Sequence, residues 1–330
     1  MRNSNRLIHC IILILSTFFV VSSAYGKEYT LQNRYKKLIK DYPQIQLPSQ
    51  TIPREILSYQ DVVYKKVTDH VLAMSIYRPK NSTASLPLVV MIHGGGWQSG
   101  TPELLKTLAF SIAAQGFVVA VPAYRLSTEA QYPAAINDLA TALNWLTTHK
   151  AQYNIDTSKL ALIGSSAGGQ MAALLAYSQG QLKETNNPLI KANVLINIDG
   201  LSDFTTPIAL RYENDPSKKI TSASAWLGSR YEDNPQRWHN ASPINYINAS
   251  SPATLFINSS AKRFYAGREK AIQKLNFLGI TTEVYQFKDA PHCFWLFQPW
   301  QTDTIKAMTL FLKNSYNGYF IPTGLYMGSI

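Results

Sequence analysis

Short apolar runs alternate with stretches of helical periodicity through most of the 330-residue chain. Several of the runs are apolar on both faces, a pattern typical of strands buried inside a parallel sheet. Strands that alternate with helices predict a doubly wound, mainly parallel sheet with helices on both faces. The predicted strands are residues 88–92, 117–121, 160–163, 192–198, 254–257 and 282–287. The predicted helices lie at about 103–114, 134–149, 169–177, 267–277 and 303–313.

Two regions depart from this alternation. Residues 62–67 and 71–77 flank a turn at Thr68-Asp69-His70, and this pattern predicts an antiparallel hairpin. The segment at about 200–250 is rich in Trp, Tyr, Asn, Pro and Ser and contains no predicted strand. Long insertions in such folds often form lids or binding walls, so we expect a lid-like insertion that contacts the substrate. An extra helical layer without a ligand role is the alternative.

The first residues have the pattern of a secretory signal peptide. Arg2 and Arg6 precede an apolar run at 7–21, and the small-residue pattern Ala24-Tyr25-Gly26 follows. We predict a signal peptide at 1–26 and one catalytic domain at 27–330, with a core at about 62–313. The mature protein is then secreted or periplasmic, without stable membrane insertion. An uncleaved anchor is the alternative, although a membrane span needs about 20 apolar residues.

Composition and charge limit the classes of molecule that the protein is expected to bind. The apolar fraction of 46% is enough for one large core. The formal net charge of +11 comes from scattered basic residues, which gives little support for nucleic-acid binding. Removal of 1–26 leaves Cys293 as the single cysteine, so the mature chain forms no intramolecular disulfide. A cysteine nucleophile is disfavoured because no elbow or helix N-terminus surrounds Cys293.

The strongest motif is Gly164-Ser165-Ser166-Ala167-Gly168, which joins the strand 160–163 to a helix. Gly-x-Ser-x-Gly at a strand-to-helix junction is a nucleophile elbow, in which a tight turn exposes the serine. The helix N-terminus also favours negative charge that develops at this position. We therefore predict that Ser166 is a nucleophile.

A glycine-rich segment, His93-Gly94-Gly95-Gly96-Trp97, follows the buried strand 88–92. Consecutive glycines let the backbone turn its N–H groups toward a reacting carbonyl. We expect an oxyanion hole formed by the N–H groups of Gly95, Gly96 and Ala167, with His93 as a structural residue. A phosphate-binding loop is disfavoured because neither a Walker Lys-Ser/Thr pair nor a Gly-x-Gly-x-x-Gly spacing is present.

The candidate base is His292, which follows the last predicted strand in Asp289-Ala290-Pro291-His292. Its position gives the order serine then histidine that this type of site requires. The other histidines fit less well, because they lie in a hairpin turn, at a helix end or in the insertion. These are His70, His149 and His239.

The acid that orients the histidine is not evident. It is expected a few residues after strand 254–257, where the chain instead reads Asn258-Ser259-Ser260-Ala261-Lys262-Arg263. Three carboxylates are candidates, in the order Glu269, Asp289 and Asp203. A Ser-His dyad without an acid is the fourth possibility.

From about residue 62 to 313 the chain resembles α/β-hydrolase esterases of the acetyl-esterase, feruloyl-esterase-like and kynurenine-formamidase-like group. The resemblance rests on four segments in the expected order, residues 93–97, 124–126, 132–138 and 165–169. It implies the α/β-hydrolase fold and no metal or cofactor. Residues 256–268 and 291–295 are also similar to bacterial esterases of pectin or xylan breakdown, which would let Arg263 and Arg268 meet a sugar carboxylate.

Together these observations lead us to expect a serine esterase that acts through an acyl-enzyme on small acyl esters, acetyl first, of a plant oligosaccharide or small molecule. Several aromatic residues would offer stacking surface for sugars, namely Tyr212, Trp226, Tyr231, Trp238, Trp295 and Trp300. Arg125 and Asp138 are expected to pair behind the oxyanion loop. A serine peptidase or formamidase would use the same machinery, and a non-catalytic carbohydrate-binding protein on this scaffold is the alternative from another class.

Overall fold

The structure is a computed structural model that describes residues 29–179, 181–182, 191–317 and 326–328. The predicted signal peptide at 1–26 lies outside the described residues. Among the helices described, none is both long and apolar enough to cross a membrane.

A single sheet of nine strands forms the centre of the described chain, in the order β1-β2-β4-β3-β5-β6-β7-β8-β9. Strands β1 and β2 are antiparallel, as predicted for the hairpin, and β2 is also antiparallel to β4. All pairings from β4 to β9 are parallel, which confirms the mainly parallel sheet. The strands are β1 (Ile56–Lys66), β2 (Val71–Pro79), β3 (Leu86–Ile92), β4 (Val118–Pro122), β5 (Ile155–Ser165), β6 (Val194–Ile198), β7 (Ala253–Asn258), β8 (Thr282–Phe287) and β9 (Tyr326–Gly328).

Helices cover both faces of this sheet, because successive side chains of each central strand point to opposite faces. In β3, Leu88, Val90 and Ile92 enter one core, which includes α3 and α5. Val89 and Met91 enter the other, which includes α2 and α10. The helices are α1 (Leu31–Leu38), α2 (Lys106–Ala113), α3 (Ala134–Thr148), α4 (Lys150–Tyr153), α5 (Ala167–Ser178), α6 (Pro207–Glu213), α7 (Ser222–Leu227), α8 (Pro235–Asn240), α9 (Arg268–Phe277) and α10 (Trp300–Asn317).

The insertion between β6 and β7 contains α6, α7 and α8 and packs against the glycine-rich segment. The ring of Trp226 in α7 stacks on Trp97 with centroids 5.2 Å apart, and Trp97 Nε1 donates a hydrogen bond to Gln170 Oε1 at 3.0 Å. A Cβ atom at Gly96 would lie 3.3 Å from Ser222 Oγ at the start of α7. The insertion therefore supports the loop that was predicted to hold the oxyanion.

The expectation that the aromatic residues form a sugar-stacking surface is wrong for the four tryptophans. Trp226, Trp238, Trp295 and Trp300 are all buried, and Tyr231 packs edge-on against Trp238. Only Tyr212 of this set is exposed. Large aromatic side chains bury much apolar area, so these rings stabilise the core. Trp226 and Trp238 belong to the core that contains α5, and Trp295 and Trp300 belong to the core on the opposite face of the sheet.

Candidate active site

The turn at Ser166 has the geometry of a nucleophile elbow. Ser166 has φ 55° and ψ −124°, a strained backbone for a residue with a side chain, and α5 begins at the next residue. A Cβ atom at Gly164 would lie 2.0 Å from the Gly168 carbonyl oxygen, and one at Gly168 would lie 2.1 Å from the Ile92 carbonyl oxygen. Only glycine fits at either position, so the two glycines of the motif are what permits this turn.

The glycine-rich segment lies directly against the elbow. A Cβ atom at Gly94 would lie 2.9 Å from Ser166 Cβ. Gly95 and Gly96 have φ values of +131° and +60°, which turn the backbone in a way that side chains disfavour. Ala167 is the first residue of α5, where helical N–H groups have no intrahelical acceptor. The three predicted oxyanion donors therefore belong to two backbone segments that meet at Ser166.

His93, the first residue of this segment, is held in place by Tyr124. Its ring is buried and stacks on Tyr124 with centroids 4.3 Å apart, and the Tyr124 hydroxyl donates a hydrogen bond to the His93 carbonyl oxygen at 2.8 Å. Burial lowers the pKa of His93 to about 4. The imidazole is therefore neutral at physiological pH and its role is structural, as predicted.

The structure brings the predicted base to the predicted nucleophile. His292 Nε2 lies 2.9 Å from Ser166 Oγ. The imidazole stacks on the ring of Phe264, with centroids 3.4 Å apart and planes 7° apart, and meets the edge of Trp295 at 5.1 Å. These two rings fix the imidazole plane and shield it from water.

The carboxylate at His292 is Asp199, which is not among the three predicted acids. Asp199 Oδ2 lies 2.9 Å from His292 Nδ1, and its side chain is fully buried. Its other oxygen, Oδ1, accepts hydrogen bonds from the Ser259 N–H at 2.9 Å and the Asn258 amide at 3.3 Å. Asp199 directly follows β6, whereas the acid was sought after β7. The loop after β7, where the acid was expected, instead supplies the hydrogen-bond donors that hold the Asp199 carboxylate.

All three predicted acids are wrong as partners of His292. The side chain of Glu269 is 64% exposed and pairs with Arg268 at 2.6 Å. Asp203 Oδ1 accepts the N–H and the hydroxyl of Thr205, both at 2.7 Å. Asp289 is exposed at the surface of its loop.

Asp199 leaves the same strand as the predicted acid Asp203, four positions earlier in the chain. The sequence signal for this acid is an acidic residue that comes immediately after a mainly apolar strand, in Ile198-Asp199-Gly200. A carboxylate at that point lies at the carboxyl edge of the sheet, where the ligand-binding sites of open α/β sheets form.

The electrostatic surroundings of His292 favour its neutral form. Burial is the main cause that lowers the pKa of His292, and the charges of Arg34 and Arg263 lower it further. The hydrogen bond and the negative charge of Asp199 oppose this effect. The imidazole is thus available to accept a proton at neutral pH.

Two other predicted roles are settled by contacts. Asp138 is fully buried and pairs with Arg125 through Nε at 2.8 Å and Nη2 at 2.9 Å, which confirms their expected structural pairing. Lys65 adds a second positive charge at 2.5 Å from the same carboxylate.

Cys293 is buried against the Tyr29 hydroxyl at 2.9 Å, and burial raises the pKa of its thiol. This environment disfavours a thiolate, in agreement with the sequence-based argument against a cysteine nucleophile.

The sheet order and the strand-turn-helix geometry at Ser166 define an α/β-hydrolase fold. The BD-FAE family model matches residues 74–264, which is more than half of the chain. The chain therefore belongs to the BD-FAE family.

The chain is also similar to individual proteins. Carboxylesterase NlhH of Mycobacterium tuberculosis is 36% identical over 135 residues, which cover 40% of this chain and 41% of NlhH. The aligned region is thus less than half the length of that relative. A solved structure of a bifunctional GH43-CE from Bacteroides eggerthii is 25% identical, has a TM-score of 0.63 and covers 78% of this chain and 38% of its own. A truncated carbohydrate esterase from gut microbiota shares the fold, with a TM-score of 0.67 at 20% identity, over 82% of this chain and 100% of its own.

Proposed function

We propose that this protein is a serine esterase that hydrolyses small acyl esters through an acyl-enzyme. The observation that carries the proposal is the continuous series of hydrogen bonds from Ser166 Oγ to His292 and from His292 to Asp199. A nucleophile, a base and an orienting acid in this order are the parts that acyl transfer requires.

Each group has a role in the proposed reaction. His292 Nε2 accepts the proton of Ser166 as Oγ attacks the ester carbonyl carbon. The N–H groups of Gly95, Gly96 and Ala167 donate to the oxyanion of the tetrahedral intermediate. The protonated imidazole then gives its proton to the leaving alkoxide, and the acyl group stays on Ser166.

Deacylation repeats the same steps with water as the nucleophile. His292 takes a proton from water, the hydroxide attacks the acyl carbon, and Ser166 leaves with the proton that His292 returns. Asp199 accepts the Nδ1–H of His292 throughout, which fixes the tautomer and stabilises the imidazolium. Because Asp199 is held by two further donors, its carboxylate stays aligned with the ring.

For the substrate we propose an acetyl-type ester on a plant-derived carbohydrate. The name of NlhH supports a carboxylesterase, and the names of two structural neighbours support a carbohydrate esterase. The leader pattern at 1–26 supports a secreted or periplasmic enzyme that meets such polymers outside the cell. A missing acid would favour the non-catalytic binding protein, and the contact of Asp199 with His292 removes that reason.

The activity is tested by release of p-nitrophenol from its acetate ester by residues 27–330. We expect Ser166→Ala to lower kcat on the order of 10⁴-fold or more, as loss of a nucleophilic serine does. Ser165→Ala is the matched control, because this neighbouring hydroxyl is buried and donates no hydrogen bond within the described residues. Equal rates for the parent protein and Ser166→Ala contradict the esterase proposal.

The substrate class is tested by acid release from acetylated pectin, acetylated xylan and feruloylated arabinoxylan. We expect acetate from at least one of the first two polymers. Faster cleavage of p-nitroanilides or N-formyl aromatic amines than of acetyl esters would instead support a peptidase or a formamidase.

A further inference from the structure

Arg263 and His292 both contact the ring of Phe264. It belongs to the short 3₁₀ helix Lys262–Tyr265 after β7, and its guanidinium carbon lies 4.4 Å from the centroid of the Phe264 ring. That same ring stacks on the His292 imidazole. The Nε of Arg263 is buried and donates no hydrogen bond within the described part of the chain.

Arg34 approaches His292 from α1, a different part of the sequence. Its guanidinium carbon lies 5.2 Å from the centroid of the Tyr29 ring, and the Tyr29 hydroxyl lies 2.9 Å from the sulfur of Cys293, the residue after His292. The Nε of Arg34 is also buried and, among the residues described, has no hydrogen-bond partner. Both arginines lower the pKa of His292, so both positive charges act on the same imidazole.

Neither guanidinium is neutralised by an ion pair. Within the described ranges, no carboxylate lies within 4.0 Å of Arg34 or Arg263. Asp199 is committed to His292. The charge of Arg263 also acts on Glu213, whose pKa is raised by burial and lowered by Arg263. Arg268, which was also expected to meet a sugar carboxylate, instead donates hydrogen bonds to Glu269, Asn258 and Gln286.

The contacts of the two guanidiniums are with neutral groups, namely the rings of Tyr29, Tyr212 and Phe264 and the thiol of Cys293. Partly buried cations without a counter-ion are costly, because they lose water without gaining a compensating negative charge. Two such groups beside one imidazole therefore favour the binding of an anion. A guanidinium presents a planar fork of donors that fits a carboxylate, and the resulting charge-assisted hydrogen bonds are stronger than neutral ones.

We propose that Arg34 and Arg263 form a cationic subsite that binds a carboxylate on the alcohol part of the substrate. The proposal rests on the esterase function given above, in which His292 delivers a proton to the leaving alcohol. Groups that flank His292 therefore lie on the side of the alcohol. The preferred substrate class is an acyl ester of a hydroxylated carboxylic acid, such as an acylated uronic acid. Arg34 lies outside residues 74–264, so this part of the subsite is contributed by the segment before the sheet.

The test compares para-acetoxybenzoate with its methyl ester, two substrates that share the acetyl group and the phenolic leaving oxygen and differ in one negative charge. The quantity measured is the ratio of kcat/KM for the acid to kcat/KM for the methyl ester, at a pH where both rates have reached their plateau. We expect the parent protein to prefer the acid. Arg34→Gln and Arg263→Gln should each lower the ratio about tenfold, mainly through a higher KM for the acid. Arg34→Lys and Arg263→Lys should keep part of the preference, because they retain the charge without the planar fork.

Arg54→Gln is the matched control. It removes one exposed positive charge before β1, at the edge of the sheet opposite to β7 and β8, and should leave the ratio unchanged. Each ratio is measured within one protein, so a smaller folded fraction does not alter it. An equal ratio in the parent protein and both glutamine variants overturns the subsite, while loss of methyl ester hydrolysis in Ser166→Ala still upholds the esterase.

Failure of the esterase proposal is recognised separately, because the parent protein would then hydrolyse neither ester. In that case, calorimetry with para-hydroxybenzoate and its methyl ester tests the subsite alone. Tighter binding of the acid that is lost in Arg34→Gln and Arg263→Gln supports it. Equal binding of the two compounds overturns it.

Discussion

The serine side and the histidine side of the site are built in different ways. The serine side consists of two contiguous segments, 93–97 and 164–168, whose backbones meet through glycines. The histidine side collects one residue from each of three loops, with Asp199 after β6, Phe264 after β7 and His292 after β8. Local backbone geometry therefore defines the first side, and strand order defines the second. Substitutions should consequently act on the two sides through different physical effects.

The largest effect is expected at the acid. Asp199→Asn should keep the shape of the side chain but favour the wrong tautomer of His292, and should lower kcat on the order of 10⁴-fold. Glu269→Gln, the matched change at the exposed residue first proposed from the sequence, should leave kcat within a factor of about two, because surface substitutions are usually near neutral. The measurement is hydrolysis of p-nitrophenyl acetate. The reverse order of effects would show that the contact of Asp199 with His292 is not the functional one.

The next largest effect tests the serine side. A Cβ atom at Gly95 would lie 1.9 Å from the Ser99 carbonyl oxygen, and φ is +131°. Gly95→Ala must therefore shift the oxyanion segment, and we expect kcat to fall by about 100-fold to 1,000-fold, as for loss of an oxyanion donor. Gly116→Ala is the control, since φ is +99° but no atom lies within 4 Å of the added Cβ. If both variants lose activity equally, backbone strain alone is responsible.

A smaller effect is expected from packing on the histidine side. Phe264→Leu removes the ring that stacks on His292 and should lower kcat by about threefold to tenfold, with KM for a neutral ester little changed. Phe277→Leu makes the same substitution at a side chain that is 90% exposed. No difference between the two variants would mean that Asp199 alone positions the imidazole.

The smallest expected effect is a displacement of the pH profile. His292 must be neutral to accept the proton, so kcat/KM should rise with pH through the pKa of His292. Because burial lowers this pKa, the midpoint should lie below the ordinary value of 6.5. Arg263→Gln removes a positive charge that disfavours the imidazolium, and the midpoint should move to higher pH. Arg54→Gln should not move it, and a displacement to lower pH in Arg263→Gln would contradict the assigned electrostatics.

The comparison also explains which parts of the site were predictable. The glycines at 94, 95, 164 and 168 are required by close backbone contacts, and such requirements are visible in a contiguous string of residues. The position of His292 followed from its place after the last core strand. The alternation of apolar strands and helices likewise predicted the sheet, with differences mainly at the ends of elements. Strand β5, for example, begins at Ile155 rather than Leu160.

For the acid, the sequence offers only candidates, because several acids follow strands and only the fold decides which one reaches the imidazole. Asp203 and Asp199 leave the same strand, yet the first bonds to Thr205 and the second to His292. Likewise, nothing local in the sequence indicates that Arg34 and Arg263 act on one imidazole, since they are separated by most of the chain. The sequence alone determined the elbow, the oxyanion segment and the alternating fold, because these depend on neighbouring residues. The acid and the paired arginines were decided by tertiary structure, because strand order and helix packing bring distant side chains to the same histidine.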